Sequence, residues 1–209
     1  TYTGKSTLDK FASYAHKENP SMIWGIAYHG YSYPLTINDF WKDTTNTTSK
    51  SSTKYISMKN ISVLTKYAAS LEKKYEKPSG SIRVILSEQG YNAGKGSYSQ
   101  AYALARGYYM AEFNSRIDAF IIRALQDAKE ETKGGLYFGI KNRYEEKRTS
   151  YYVYENMDSD LTKFGKKKAS TYVSSANVNK FKEAQKVLYK TDWADIIPKF
   201  KKSKLEGMY

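Results

Sequence analysis

Met22-Ile23-Trp24-Gly25-Ile26-Ala27-Tyr28-His29 is the stretch on which the fold turns. It is apolar almost without interruption and closes on polar groups. A short continuous apolar run predicts a strand buried on both faces, as in a parallel sheet. Two more runs repeat the pattern: Ile82-Arg83-Val84-Ile85-Leu86-Ser87-Glu88, and Ile117-Asp118-Ala119-Phe120-Ile121-Ile122-Arg123. Helical spacing fills the intervals. Residues 6–18 repeat Leu8, Phe11, Ala12 and Ala15, and Asn19-Pro20 stops them. Residues 57–76 put Met58, Ile61, Leu64, Ala68 and Leu71 on one face, with Ser57 as N-cap. Residues 100–114 offer Tyr102, Leu104, Ala105, Tyr109 and Phe113.

Beyond this the pattern weakens. Residues 136–140 read as a short strand, residues 151–154 as a strand or a helix start, and residues 181–188 as a final helix. Helices alternating with buried strands define an α/β fold with a parallel sheet. Two architectures compete, an open doubly wound sheet and part of a (β/α)8 barrel. No strand is followed by a G-x-G-x-x-G turn or a Walker loop, and Gly90, Gly94 and Gly96 have the wrong spacing for a phosphate cradle. The strand ends carry Tyr28-His29, Ser87-Glu88-Gln89, and Arg123 followed by Gln126 and Asp127. Polar groups gathered at strand C-termini fit the barrel rule. Three strands do not close a barrel, and an open edge exposes unpaired backbone. The expectation is therefore the C-terminal portion of a barrel with a helical extension, a single partial domain over residues 1–209. The N-terminal half is expected to lie outside this chain.

Composition narrows the chemistry. The 209 residues include no cysteine, which removes thiolate metal sites, iron–sulfur clusters and a cysteine nucleophile. Two histidines, His16 and His29, argue against a multi-histidine metal centre, and neither a metal nor a cofactor is expected. No apolar run is long enough to span a membrane. The net charge of +13 comes from lysines mixed with glutamates, which describes a solvated surface and not a nucleic-acid arm. Only Lys166-Lys167-Lys168 and the tail lysines at 199, 201, 202 and 204 cluster. The loop over residues 30–53 holds Tyr31, Tyr33, Phe40 and Trp41, too apolar for a plain linker.

Several of these pieces, taken together, resemble a known family. They are Trp24-Gly25-Ile26-Ala27-Tyr28-His29, Pro34-Leu35, Phe40-Trp41, Tyr55-Ile56-Ser57-Met58-Lys59-Asn60-Ile61, Ile85-Leu86-Ser87-Glu88-Gln89-Gly90, Gln100-Ala101 and Ile117-Asp118-Ala119-Phe120. The series, covering residues 5 to 140, resembles the DUF5722 family. That is a group of bacterial, often secreted proteins with a glycoside-hydrolase-like (β/α)8 barrel and poorly established activity. The resemblance implies an extracellular or cell-surface location and a carbohydrate substrate or ligand. It also implies that the three strands correspond to barrel strands 6 to 8. Retaining barrel glycosidases place one glutamate on strand 4 and the nucleophile on strand 7. Ser87-Glu88-Gln89-Gly90 is similar to the nucleophile context, and the acid/base partner is then expected ahead of Thr1. A retaining mechanism needs both carboxyl groups about 5–5.5 Å apart, so the 209 residues alone are expected to be inactive.

Glu88 is the candidate nucleophile, because a carboxylate ending a buried strand is costly unless paired or used. The structural alternative is an ion pair with Arg123. Tyr28, His29, Tyr31, Trp41, Gln89, Arg123 and Asp127 are the candidate substrate-binding residues. His29 is placed to meet a sugar hydroxyl or steer Glu88, and Tyr28 or Tyr31 to hold it. Trp41 is a stacking platform or a pin for its loop. Arg123 and Asp127 are expected chiefly to pair with each other. The enzyme reading is retaining hydrolysis of a polysaccharide or oligosaccharide. Its rival is a non-catalytic carbohydrate-binding or cell-surface module on the same fold.

Overall fold

The computed structural model describes residues 4–112 and 114–156. The expected helix over residues 181–188, the helical extension and the clustered lysines from 166 onward lie outside the described residues, as do Phe113 and the side chain of Tyr109. The elements are α1 (Gly4–Glu18), β1 (Gly25–Tyr28), α2 (Ile61–Lys74), β2 (Arg83–Gln89), α3 (Ser97–Glu112), β3 (Ile117–Ile122), β4 (Ala124–Gln126), α4 (Lys129–Lys133), β5 (Gly139–Lys141) and α5 (Thr149–Asn156). β1, β2 and β3 form one parallel sheet in chain order, and β4 and β5 a separate parallel pair. The chain is α/β with parallel strands.

Local chemistry explains the element ends. The first strand is shorter than its apolar run because the Lys77 ammonium donates to the Pro20 and Met22 carbonyls at 3.0 and 2.9 Å. Ser57 does cap its helix, through a 3-10 turn at Met58–Asn60. Its hydroxyl accepts from the Lys59 N–H, and its own N–H donates to the Asn60 side chain at 2.9 Å. Asn60 also donates to the Thr48 and Tyr55 carbonyls, which bolts the long loop to the start of α2. Residues 136–140 are only partly strand, since the Leu136 N–H closes the end of α4 on the Glu131 carbonyl. Residues 151–154 are helical, within α5.

The apolar face of α2 is buried as its spacing predicts, through Ile61, Leu64, Ala68 and Leu71. It packs with Ile26, Val84 and Leu86 in one core. No described residue covers the opposite face of the sheet. Ile85 is 42% exposed and Ile121 48%, and Gly25 and Ala27 are exposed beside them. The expectation of strands buried on both faces is thus met on one face only among the described residues. Parallel sheets are ordinarily covered on both.

A buried ion pair locks the foot of the sheet. Glu72, on α2, accepts from the Ile82 and Gly80 N–H groups at 2.7 and 3.0 Å and pairs with Arg116. Burial pushes the Glu72 carboxyl up, but the Arg116 guanidinium and the two N–H donors outweigh it, and the group titrates below the usual carboxylate range. A depressed native pKa stabilises the fold above the unfolded value of about 4.3, and that stability is lost as pH falls through the native value. Glu72→Gln is therefore expected to lower the denaturant midpoint at neutral pH. The gap to wild type should narrow as the pH is taken below about 4. A gap that stays constant with pH would contradict the pairing.

Candidate functional site

Glu88 sits at the C-terminal end of the middle strand, where the strand is irregular. Leu86 pairs with Phe120 and Gln89 with Ile122, so three steps along β2 match two along β3. The extra residue lies at Ser87-Glu88 and interrupts the alternation that buries Val84 and Leu86 on the helix side. A bulge of this kind re-aims a side chain. Gln89 takes the next buried position, with its amide directed at the Tyr28 carbonyl at 3.4 Å. Glu88 is left with its side chain one-third exposed.

Three groups converge on one oxygen of Glu88. The Tyr31 hydroxyl donates to Oε1 at 2.7 Å. Arg123 Nε lies 3.5 Å from the same oxygen, and His29 Nδ1 lies 4.0 Å from it. Oε2 makes no hydrogen bond or ion pair with the described residues. Burial, reinforced by the hydrogen bond to Glu88 and by the Glu88 charge, pushes the Tyr31 hydroxyl far up, so it remains a donor at any working pH. Arg123 is held from its other side by Glu131 of α4. Glu131 was not singled out from the sequence, where Glu130 and Glu131 look like one solvated pair. Glu130 does pair with Lys133 at the surface.

Gly90 explains the spacing of the Ser-Glu-Gln-Gly motif. A Cβ there would stand 3.1 Å from the rings of Phe138 and Tyr31 and 3.2 Å from Arg123 Cβ. The Tyr31 and Phe138 rings also lie against each other at 5.6 Å. Phe138 is fixed by buried amides. Asn92 Oδ1 accepts from the Tyr137 N–H at 3.0 Å, and Gln100 Nε2 donates to the Tyr91 and Gly139 carbonyls at 2.8 and 3.1 Å. Ser150 in turn donates to Gln100 Oε1 at 2.6 Å. Gly90→Ala is expected to cost about 1–3 kcal/mol from overpacking and to move the Tyr31 ring off Glu88. Thermal denaturation and a crystal structure of the variant test both. An unshifted Tyr31 hydroxyl would show that the crowding is relieved elsewhere.

The remaining candidates are dispersed. Tyr28 points to the helix side, where its hydroxyl donates to the Ile56 carbonyl at 2.8 Å. Trp41 stands edge-on to Tyr102 at 5.2 Å, beneath the Arg106 guanidinium at 4.5 Å, and so fastens the long loop to α3. Phe40 beside it is buried against Tyr91. Arg123 and Asp127 do not pair with each other, contrary to expectation, because a nearer partner is available to each. Arg123 meets Glu88 and Glu131, while Asp127 is buried against Arg148 and accepts from the Gly139 N–H at 2.9 Å. Among the described residues no group of three or more His, Asp or Glu is placed to hold a metal ion, and no helix is long and apolar enough to cross a membrane.

Fold and cluster together define an α/β protein with an anchored, solvent-reaching carboxylate at the C-terminal ends of parallel strands. Over residues 1–181 the chain matches the family of unknown function DUF5722, and it belongs to that family. No curated protein and no solved structure matches it.

Proposed function

We propose that the chain is the C-terminal part of a glycoside-hydrolase-like (β/α)8 barrel, secreted or at the cell surface of a bacterium, that cleaves a polysaccharide or oligosaccharide with retention. The observation that carries this reading is the one-sided anchoring of Glu88. Tyr31 and Arg123 hold Oε1, which leaves Oε2 available to attack an anomeric carbon. His29, half exposed beside it, is suited to a sugar hydroxyl. The barrel part of the proposal is supported by the bare sheet face. Ile85, Ile121 and Ala27 would line the interior of a closed barrel, whose core is filled by side chains from all its strands. The acid/base would come from a strand outside residues 1–209.

The non-catalytic reading draws on the same contacts, since a tyrosine and an arginine are also ordinary partners of a structural carboxylate. Reducing-end release from a polysaccharide panel, measured on the longest natural form of the protein, separates the two. Release from one glycan class supports the enzyme. Glycan binding without release moves the function to the binding module.

A further inference from the structure

A groove of about 1010 Å³ opens on the other side of β1, away from Glu88. Three consecutive residues of the strand, Ile26, Ala27 and Tyr28, line it. Side chains alternate across a sheet, so a groove on one face would meet every second residue. Lining by three in a row means that the groove runs along the hydrogen-bonding edge. That edge is unpaired among the described residues, since β1 is the outer strand and pairs only with β2. Apart from its shortness it lacks the usual protection of an edge. Gly25–Tyr28 contains no charged residue and no proline, and its register with β2 is regular, without a bulge.

The groove carries charge of one sign. Lys5, Lys54 and Lys66 line it, and no aspartate or glutamate does. Lys5 and Lys54 lie over the Tyr67 and Tyr55 rings at 5.2 and 5.3 Å, which fixes where two of the ammonium groups are presented. An apolar strand seated here would desolvate these ammonium groups without compensation. A second copy of the chain would bring the same three lysines against themselves, on a protein already at +13.

We infer that this groove seats an extended, carboxylate-bearing polypeptide segment, which adds a strand to the edge of β1 and pairs its acidic side chains with Lys5, Lys54 and Lys66. Backbone pairing supplies the attachment and the alternate side chains supply the selectivity, as in strand addition generally. The inference rests on the barrel proposal only for the source of the segment, which that proposal places in the same protein ahead of α1. It does not depend on the chemistry of Glu88.

Backbone groups of a strand point alternately to its two neighbours, so β2 protects only half of the amides of Gly25–Tyr28. Hydrogen exchange of the longest natural form is expected to show all four protected. Carbodiimide cross-linking of the natural form should join Lys54 or Lys66 to an aspartate or glutamate outside residues 1–209. The charge reversal Lys54→Glu with Lys66→Glu should abolish those cross-links and the extra protection. Alternate protection in the natural form would overturn the inference. So would cross-links between two copies in a sedimenting dimer, or protection that only a soluble sulfated oligosaccharide confers. Four protected amides together with undiminished hydrolysis by Glu88→Gln would sink the nucleophile and leave this seat standing.

Discussion

Glu88→Gln is expected to reduce glycan hydrolysis by the longest natural form of the protein to background, without loss of folding. Glutamine keeps the volume and keeps an oxygen that accepts from Tyr31, so the anchoring bond at Oε1 survives. What it loses is the oxygen proposed as nucleophile, and an amide does not form a glycosyl-enzyme intermediate. The cost to stability is small, because the ion pair with Arg123 is long and its side chains are more than a third and about a third exposed. Pairs of this kind contribute about 0–1 kcal/mol. Arg123 retains Glu131 in the variant. Release assays and thermal denaturation on the same preparation decide the matter. Unchanged hydrolysis would return Glu88 to a structural role, and a collapsed melting temperature would show that the carboxylate holds the strand end together.

Asp127→Asn is expected to have the opposite signature, a large loss of stability. Both Asp127 oxygens are engaged, with the Arg148 guanidinium at 3.0 and 2.6 Å and the Gly139 N–H at 2.9 Å. The two side chains are 1% and 14% exposed, so the pair is nearly dry. Arg148 also donates to the Gly139 and Lys141 carbonyls, so the pair ties β4, β5 and the start of α5 into one unit. Asparagine leaves Arg148 buried without its counter-charge and turns an amide N–H₂ toward another donor. Breaking a buried pair from one side costs about 3–5 kcal/mol. For a domain of this size that corresponds to a drop of roughly 6–20 °C in melting temperature. A substrate contact would behave differently, weakening glycan affinity at an unchanged melting temperature. The sequence offers Asp127 as a candidate of that kind, and this experiment separates the two roles.

The contrast between these two carboxylates shows what the sequence makes legible. Parallel strands were readable because apolar runs over residues 82–88 and 117–123 leave little room for another structure. The helix face of α2 was readable from its spacing, and Ser57 from its cap chemistry. Glu88 was readable because a carboxylate closes such a run. Asp127 carries the same functional group at a similar position, and only Arg148, 21 residues further on, distinguishes it. Trp41 was open between platform and pin because its partners Tyr102 and Arg106 lie on a helix about 60 residues away. The bulge at Ser87-Glu88 leaves no trace in composition, since it arises from pairing with β3. β4 escaped notice because three residues carry no period. The bare sheet face was hidden for a related reason: an apolar run reports what a strand is built to meet, not what covers it.

Glu131 marks where local chemistry stops being informative. Nothing separates it from Glu130 in the chain, yet one meets Lys133 in solvent and the other meets Arg123 behind the candidate nucleophile. The difference comes from the buried amides of Asn92 and Gln100, which bring residues 135–139 against the end of β2. Gln100 belongs to the stretches that carried the family resemblance, so part of that signal reflects the scaffold around Glu88.

The most direct test is to trap the intermediate. The longest natural form would be incubated with a panel of activated 2-deoxy-2-fluoro glycosides, and any labelled peptide identified by mass spectrometry. A single glycosyl adduct on Glu88 is the expected result. An adduct on another carboxylate, or hydrolysis with inversion and no adduct, would contradict it.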